Sequence, residues 1–148
     1  LGEKMLGKTT PYQPTAGTNL NHAELISTKI VAQMIKRSKN PILIVGDKGE
    51  GIEHLENLNI KKIHVPKDMN LLDAMKMISK EDYDLALFSG ITYYYLAQAL
   101  THLKHFSDIV TITIDRYYHP NAKYSFPNME TVEYIEAVKR LVILCNNP

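Results

Sequence analysis

A chain of 148 residues with 45% apolar and 22% charged side chains fits one compact domain and is too short for two full cores. Seventeen basic against sixteen acidic side chains leave a net charge of +1 with the lysines scattered, which excludes the basic stripe of a nucleic-acid binder. The lone Cys145 excludes a disulfide, a thiolate metal set or an iron–sulfur cluster held by this chain alone, and no segment reads as a signal or a membrane span, so a soluble protein of the reducing cytoplasm is expected.

Residues 1–26 read as an extended N-terminal arm, since Gly2, Gly7, Pro11, Pro14 and Gly17 interrupt the backbone too often for a helix or strand. Residues 27–148 read as a single α/β domain. From Ser27, Ile30, Val31, Met34 and Ile35 recur at helical spacing, Lys36, Arg37 and Lys39 suit the C-terminal dipole, and Pro41 ends the helix. Ile42-Leu43-Ile44-Val45 is then a continuous β-branched run closing at Gly46, the pattern of a strand covered on both faces. Residues 62–65, 84–88 and 109–114 repeat it, with helices expected near 51–58, 69–79 and 92–103 between them. Strands alternating with helices predict a three-layer, Rossmann-like parallel sheet of the NAD/FAD-binding type. A last helix over 130–144 is expected to lay Val132, Ile135, Val138, Leu141 and Val142 against one side of it. Met69, Met75 and Met77 are expected to fill the core, and two of Tyr93, Tyr94 and Tyr95 to pack inward with their hydroxyls at the rim.

In such a sheet a ligand sits beyond the carboxyl ends of the strands, so those ends supply the candidate residues. The first gives Gly46-Asp47-Lys48-Gly49-Glu50-Gly51, whose glycines would let backbone amides approach a phosphate. It is neither G-x-G-x-x-G nor a Walker pattern, and Asp47 and Glu50 put negative charge there, so a plain turn is the competing reading. The third gives Ser89-Gly90-Ile91-Thr92, with no G-x-S-x-G context or evident histidine partner for Ser89, where a tight turn and helix cap is expected from Ser and Thr. Asp115 at the fourth would accept a ribose or flavin-side hydroxyl, or order the loop through Arg116. Gly46, Gly49, Gly51, Ser89, Gly90 and Asp115 are therefore the cofactor candidates. The loop that follows, residues 115–128, is dense in interface-forming side chains, and Arg116, Tyr117, Tyr118, His119, Asn121 and Phe126 are the candidate partner contacts. No nucleophile–base pair is evident, and the six histidines form no ligand grouping, His102 and His105 included.

Three segments carry a family resemblance: Pro11-Tyr12-Gln13-Pro14, the basic helix end from Lys36 leading into Pro41-Ile42-Leu43-Ile44-Val45-Gly46, and Ile114-Asp115-Arg116-Tyr117-Tyr118-His119-Pro120-Asn121-Ala122 followed by Ser125-Phe126-Pro127-Asn128. Over most of its length the chain resembles the small epsilon subunit of the archaeal acetyl-CoA decarbonylase/synthase complex. It is also similar in fold to the middle domain of thiamine-diphosphate enzymes. The epsilon resemblance implies a non-catalytic subunit that stabilises the carbon monoxide dehydrogenase alpha subunit in an alpha-two epsilon-two component, within a larger assembly with beta, gamma and delta subunits. Nickel–iron–sulfur clusters are then expected in alpha only, and a role in electron transfer to FAD is implied as a secondary function. A stand-alone flavin- or nucleotide-binding electron-transfer module is the alternative. The arm and the aromatic loop are the expected docking elements, and self-association is a further expectation.

Overall fold

The computed structural model describes residues 23–147, so the segment 1–22, with Pro11, Tyr12, Gln13, Pro14 and His22, lies outside the described residues. The first element is a two-residue strand, β1 (Glu24–Leu25), followed by α1 (Thr28–Arg37), β2 (Pro41–Val45), a 3-10 helix (Ile52–Asn57) and β3 (Lys61–His64). Then come α2 (Leu71–Lys80), β4 (Leu85–Ser89), α3 (Tyr93–Phe106), β5 (Val110–Thr113), β6 (Tyr124–Ser125) and α4 (Thr131–Asn146). The six strands form one sheet in the order β1-β6-β5-β4-β2-β3, every neighbouring pair parallel. This is the Rossmann-like, three-layer arrangement that the alternation of apolar strands and helices predicts.

Side chains alternate across the sheet with the two-residue period of a strand. Leu43, Val45, Leu85, Leu87, Ile112 and Ile114 face a core with α1, α4 and the 3-10 helix. Ile42, Ile44, Ala86 and Phe88 face a second core with α2 and α3. Met75 is buried there, with Met69 and Met77 packed at its margin. Local chemistry sets the helix starts. Ser27 accepts from the Ile30 amide at 3.3 Å, Asn70 from the Asp73 amide at 2.8 Å, and α4 opens with a reciprocal capping box between Glu130 and Glu133. At the opposite edge of the sheet Asp84 accepts from the Ser38 hydroxyl at 2.5 Å and from the amides of Lys39 and Asn40 at 3.0 and 2.9 Å, fixing the entries to β2 and β4 side by side.

Four details depart from expectation. Residues 23–26, read as arm, run along the sheet edge, with Glu24 and Ile26 amides donating to Lys123 and Ser125 carbonyls at 3.1 and 3.0 Å. The segment after Gly51 closes as a 3-10 rather than an α-helix. Ile30 is exposed, since α1 turns Val31, Ala32 and Ile35 inward. Val132 is 70% exposed, because α4 is rotated to bury Tyr134, Val138 and Leu141. The Tyr134 hydroxyl reaches Ser89 at 2.6 Å, which fixes that rotation.

Candidate functional site

Strands β2 and β4 are neighbours, yet β2 continues to β3 on one side and β4 to β5 on the other. Their carboxyl ends form the switch point where an open α/β sheet leaves a crevice. Here the two chain turns touch. The Gly46 amide donates to the Ser89 carbonyl at 2.8 Å and the Lys48 amide to the Gly90 carbonyl at 2.9 Å. A Cβ on Gly46 would lie 2.1 Å from the Gly90 carbonyl oxygen, so glycine is required by close approach alone. Beside this contact is a cleft of about 290 Å³, walled by Lys48, Val65, Pro66, Leu71, Ile91 and Tyr95.

Of the six cofactor candidates, only Gly46 and Gly90 line that cleft. Gly49 adopts a left-handed φ of 94° facing open space, as a turn residue does. Gly51 is buried against α4, where an added Cβ would meet Ile135 at 2.7 Å. Ser89 is also buried, and the helix cap expected of Ser89-Gly90-Ile91-Thr92 falls to Thr92, the N-cap of α3. The Ser89 hydroxyl donates to the Ile114 carbonyl at 2.9 Å, with Asp115 Oδ1 a second, longer acceptor at 3.3 Å, and, its single proton being shared on that side, it accepts from the Tyr134 hydroxyl.

Asp115 completes this knot without any bridge to Arg116. Its Oδ1 accepts from the Gly90 amide at 3.1 Å and lies 3.3 Å from the Ser89 hydroxyl, while Oδ2 lies 3.8 Å from Nε2 of the buried His119. Burial pushes the Asp115 carboxyl up to about 6, against the downward pull of the Gly90 and Ser89 hydrogen bonds. Burial also drives the His119 imidazole down to about 4. Each group is thus driven towards its neutral form, and a 3.8 Å separation is too long for a hydrogen bond. Serine and histidine contact opposite oxygens of one carboxylate, so the order is serine–aspartate–histidine. A nucleophile needs its base directly within reach, and this arrangement supplies none.

The aromatic loop is turned inward more than its composition suggests. Of the candidate partner contacts, Tyr118, His119 and Phe126 are buried within this chain. The Tyr118 hydroxyl donates to the Ala23 carbonyl at 2.6 Å and accepts from the Ala23 amide at 2.9 Å. His119 stacks on Tyr93 with ring centroids 4.2 Å apart, and Asn121 is half-buried. Arg116 donates from Nε to the Met129 carbonyl at 3.3 Å and lays its guanidinium over the Tyr117 ring at 4.7 Å.

What the site does present to solvent is aromatic. Tyr93, Tyr94, Tyr95 and Tyr117 are 46%, 66%, 60% and 53% exposed, so the expectation that two of the consecutive tyrosines pack inward is not met. The reason is that Leu96, Ala99, Leu100 and Leu103 already fill the inward stripe of α3. Tyr134, Val65, Pro66 and Leu71 carry no mark of the site in the sequence, because strand crossovers bring them there. Lys48 does, by its place in the glycine turn. Among the described residues no group of three or more His, Cys, Asp and Glu converges as a metal site, and no helix is long and apolar enough to cross a membrane. Burial raises the Cys145 thiol to about 11, which leaves it a thiol at neutral pH.

Comparison with known proteins gives a consistent picture. The family described as CO dehydrogenase beta subunit/acetyl-CoA synthase epsilon subunit matches residues 6–75 and 73–142. A protein of Methanocaldococcus jannaschii named acetyl-CoA decarbonylase/synthase complex subunit epsilon is 53% identical over 137 residues, covering 88% of this chain and 94% of that one. The corresponding subunit epsilon 1 of Archaeoglobus fulgidus is 32% identical over 138 residues, covering 72% and 75%. Subunit epsilon of Methanothermobacter thermautotrophicus is 27% identical over 163 residues, covering 88% and 93%.

Proposed function

Since the chain belongs to the epsilon-subunit family of the acetyl-CoA decarbonylase/synthase complex, we propose that it is a non-catalytic docking subunit that binds and steadies the carbon monoxide dehydrogenase alpha subunit in the cytoplasm, within an alpha-two epsilon-two component. The observation that carries this reading is the group of exposed tyrosines at the carboxyl edge of the sheet, Tyr93, Tyr94 and Tyr95 at the start of α3 and Tyr117 after β5. Aromatic rings held on a rigid scaffold lose little entropy on binding and dominate the energetics of interfaces. The apolar cleft beside Tyr95 gives a docked side chain somewhere to go. The buried Ser89, Asp115 and His119 serve the scaffold under this edge.

The test is co-purification of the full chain with alpha, followed by titration. The variant Tyr94→Ala/Tyr95→Ala/Tyr117→Ala is expected to bind at least about 100-fold more weakly, as the loss of two hot-spot residues would give. Its Tm should stay within a few degrees of the parent, since all three rings are exposed. Undiminished binding by this variant rejects the edge as the docking surface.

A second reading, binding of a flavin or nucleotide for electron transfer, is supported by the position of the cleft at the switch point and by Lys48 at its wall. The cleft by itself does not fit a whole FAD. Its volume of about 290 Å³ is at the floor of the roughly 300–1,000 Å³ typical for drug-sized ligands, and FAD is larger than those. The Gly46 and Lys48 amides are also committed to the Ser89 and Gly90 carbonyls. Only one end of the cofactor would be enclosed, in a cleft lined by Asp47 as well as Lys48. Unquenched flavin fluorescence and an unshifted Tm at millimolar FAD, both with the free chain and with the alpha complex, would remove this reading.

A further inference from the structure

The solvent face of α4 is not used by the docking edge. At about 100° per residue, Val132, Glu136, Lys139 and Ile143 fall within an arc of roughly 60° on the outer side of the helix. All four are exposed, while Tyr134, Val138 and Leu141 are buried on the opposite side. The stripe therefore reads apolar, acid, base, apolar.

Such a stripe is complementary to itself when reversed. Two copies of α4 laid antiparallel, with a two-fold axis passing between Ala137 and Val138, bring Val132 of one copy to Ile143 of the other. The same operation brings Glu136 to Lys139 of the second copy, and each contact occurs twice, as in any isologous interface. A parallel pair in register would instead oppose Glu136 to Glu136 and Lys139 to Lys139, which like-charge repulsion disfavours. Alongside the stripe runs a shallow groove lined by Glu133, Ala137, Arg140 and Leu144. Three of the four stripe residues, Glu136, Lys139 and Ile143, also line that groove, so the side-chain ridge of a second helix laid on the stripe can seat in it.

We propose that this face of α4 pairs with a second copy of the chain, antiparallel about that two-fold axis. The charge order along the stripe selects both the occupant and its direction. Contact along one helix buries less than the roughly 1,200 Å² of a stable interface, so the pairing is weak, with a Kd on the order of tens of micromolar. It is independent of the docking edge, and neither proposal fails with the other.

Sedimentation equilibrium of the full chain from about 5 to 300 µM at low salt should show a monomer–dimer equilibrium that weakens as salt is added. Glu136→Lys or Lys139→Glu alone sets like charges at both symmetry-related pairs and should raise Kd at least about tenfold. The double variant Glu136→Lys/Lys139→Glu restores the pairing with its signs exchanged and should return Kd to within about threefold of the parent. Val132→Ser weakens association without touching a charge. Circular dichroism and Tm report folding of each variant, and all the substituted side chains are exposed. A monomer at the highest concentration would leave the face to residues 1–22 or to another protein and overturn the proposal. A dimer indifferent to the single reversals, or a double variant no better than the singles, overturns it as well.

Discussion

At Asp115 and His119, two ionisable groups are held side by side by burial rather than by charge. The folded Asp115 carboxyl, at about 6 against an ordinary value of 3.8, holds its proton more tightly than the unfolded chain does. Its contribution to stability is therefore fully present below about pH 3.8 and is lost as pH rises through about 6. His119, at about 4 against 6.5, behaves in the opposite sense: its contribution is present above about pH 6.5 and is lost as pH falls through about 4. The two slopes oppose one another across nearly the same window, and single variants should separate them. Asp115→Asn removes the ionisation cost, so its stability relative to the parent should rise by about 2–3 kcal/mol between pH 4 and pH 7.5, measured by urea denaturation. His119→Gln should show the reverse trend, faring best relative to the parent near pH 4. Asp115 stands out in the sequence as a strand-end acid, and its function as an anchor for the Gly90 amide does not. Tyr134, which helps close off this region, comes from α4, and no local pattern announces it.

Among the elements, the strands covered on both faces are legible because their apolar runs are long enough to show: Pro41–Val45, Leu85–Ser89 and Val110–Thr113 fall within a residue or two of expectation, as does the edge strand Lys61–His64, of which only Ile63 is buried. The two-residue strands β1 and β6 are too short for any periodicity, and only their pairing defines them. The rotation of α4 is likewise set from outside the helix, by the bond from Tyr134 to Ser89. Tyr118 shows the same dependence at the sheet edge. Its hydroxyl bonds the amide and the carbonyl of Ala23, just before β1. Tyr118→Phe leaves a buried amide and carbonyl unpaired, at a cost of about 1–3 kcal/mol. Amide hydrogen exchange should accelerate at least about tenfold at Glu24 and Ile26, while Leu43, Leu87 and Ile112 in the central strands keep their protection.

For the molecule as a whole, parallel crossovers gather every strand end at one edge, and that edge is closed underneath by polar bonds and open above through its tyrosines. The α4 stripe lies elsewhere, on a helix packed against α1 and the 3-10 helix. Distant sites with no shared contacts contribute additively. The Tyr94→Ala/Tyr95→Ala/Tyr117→Ala variant should therefore keep the self-association of the parent, and the Glu136 and Lys139 reversals should leave the affinity for alpha unchanged within about twofold. Coupling between the two would show as a sedimentation profile altered by the edge variant. The bond between Tyr118 and Ala23 also has a mechanical meaning. Ala23 is fastened at a fixed point to the same loop that carries Tyr117. If residues before that point touch a partner, they and the loop arrive as the two hands of one bivalent ligand. Each then works at the millimolar-scale effective concentration set by the other, so cutting the fastening would weaken the grip without removing either hand.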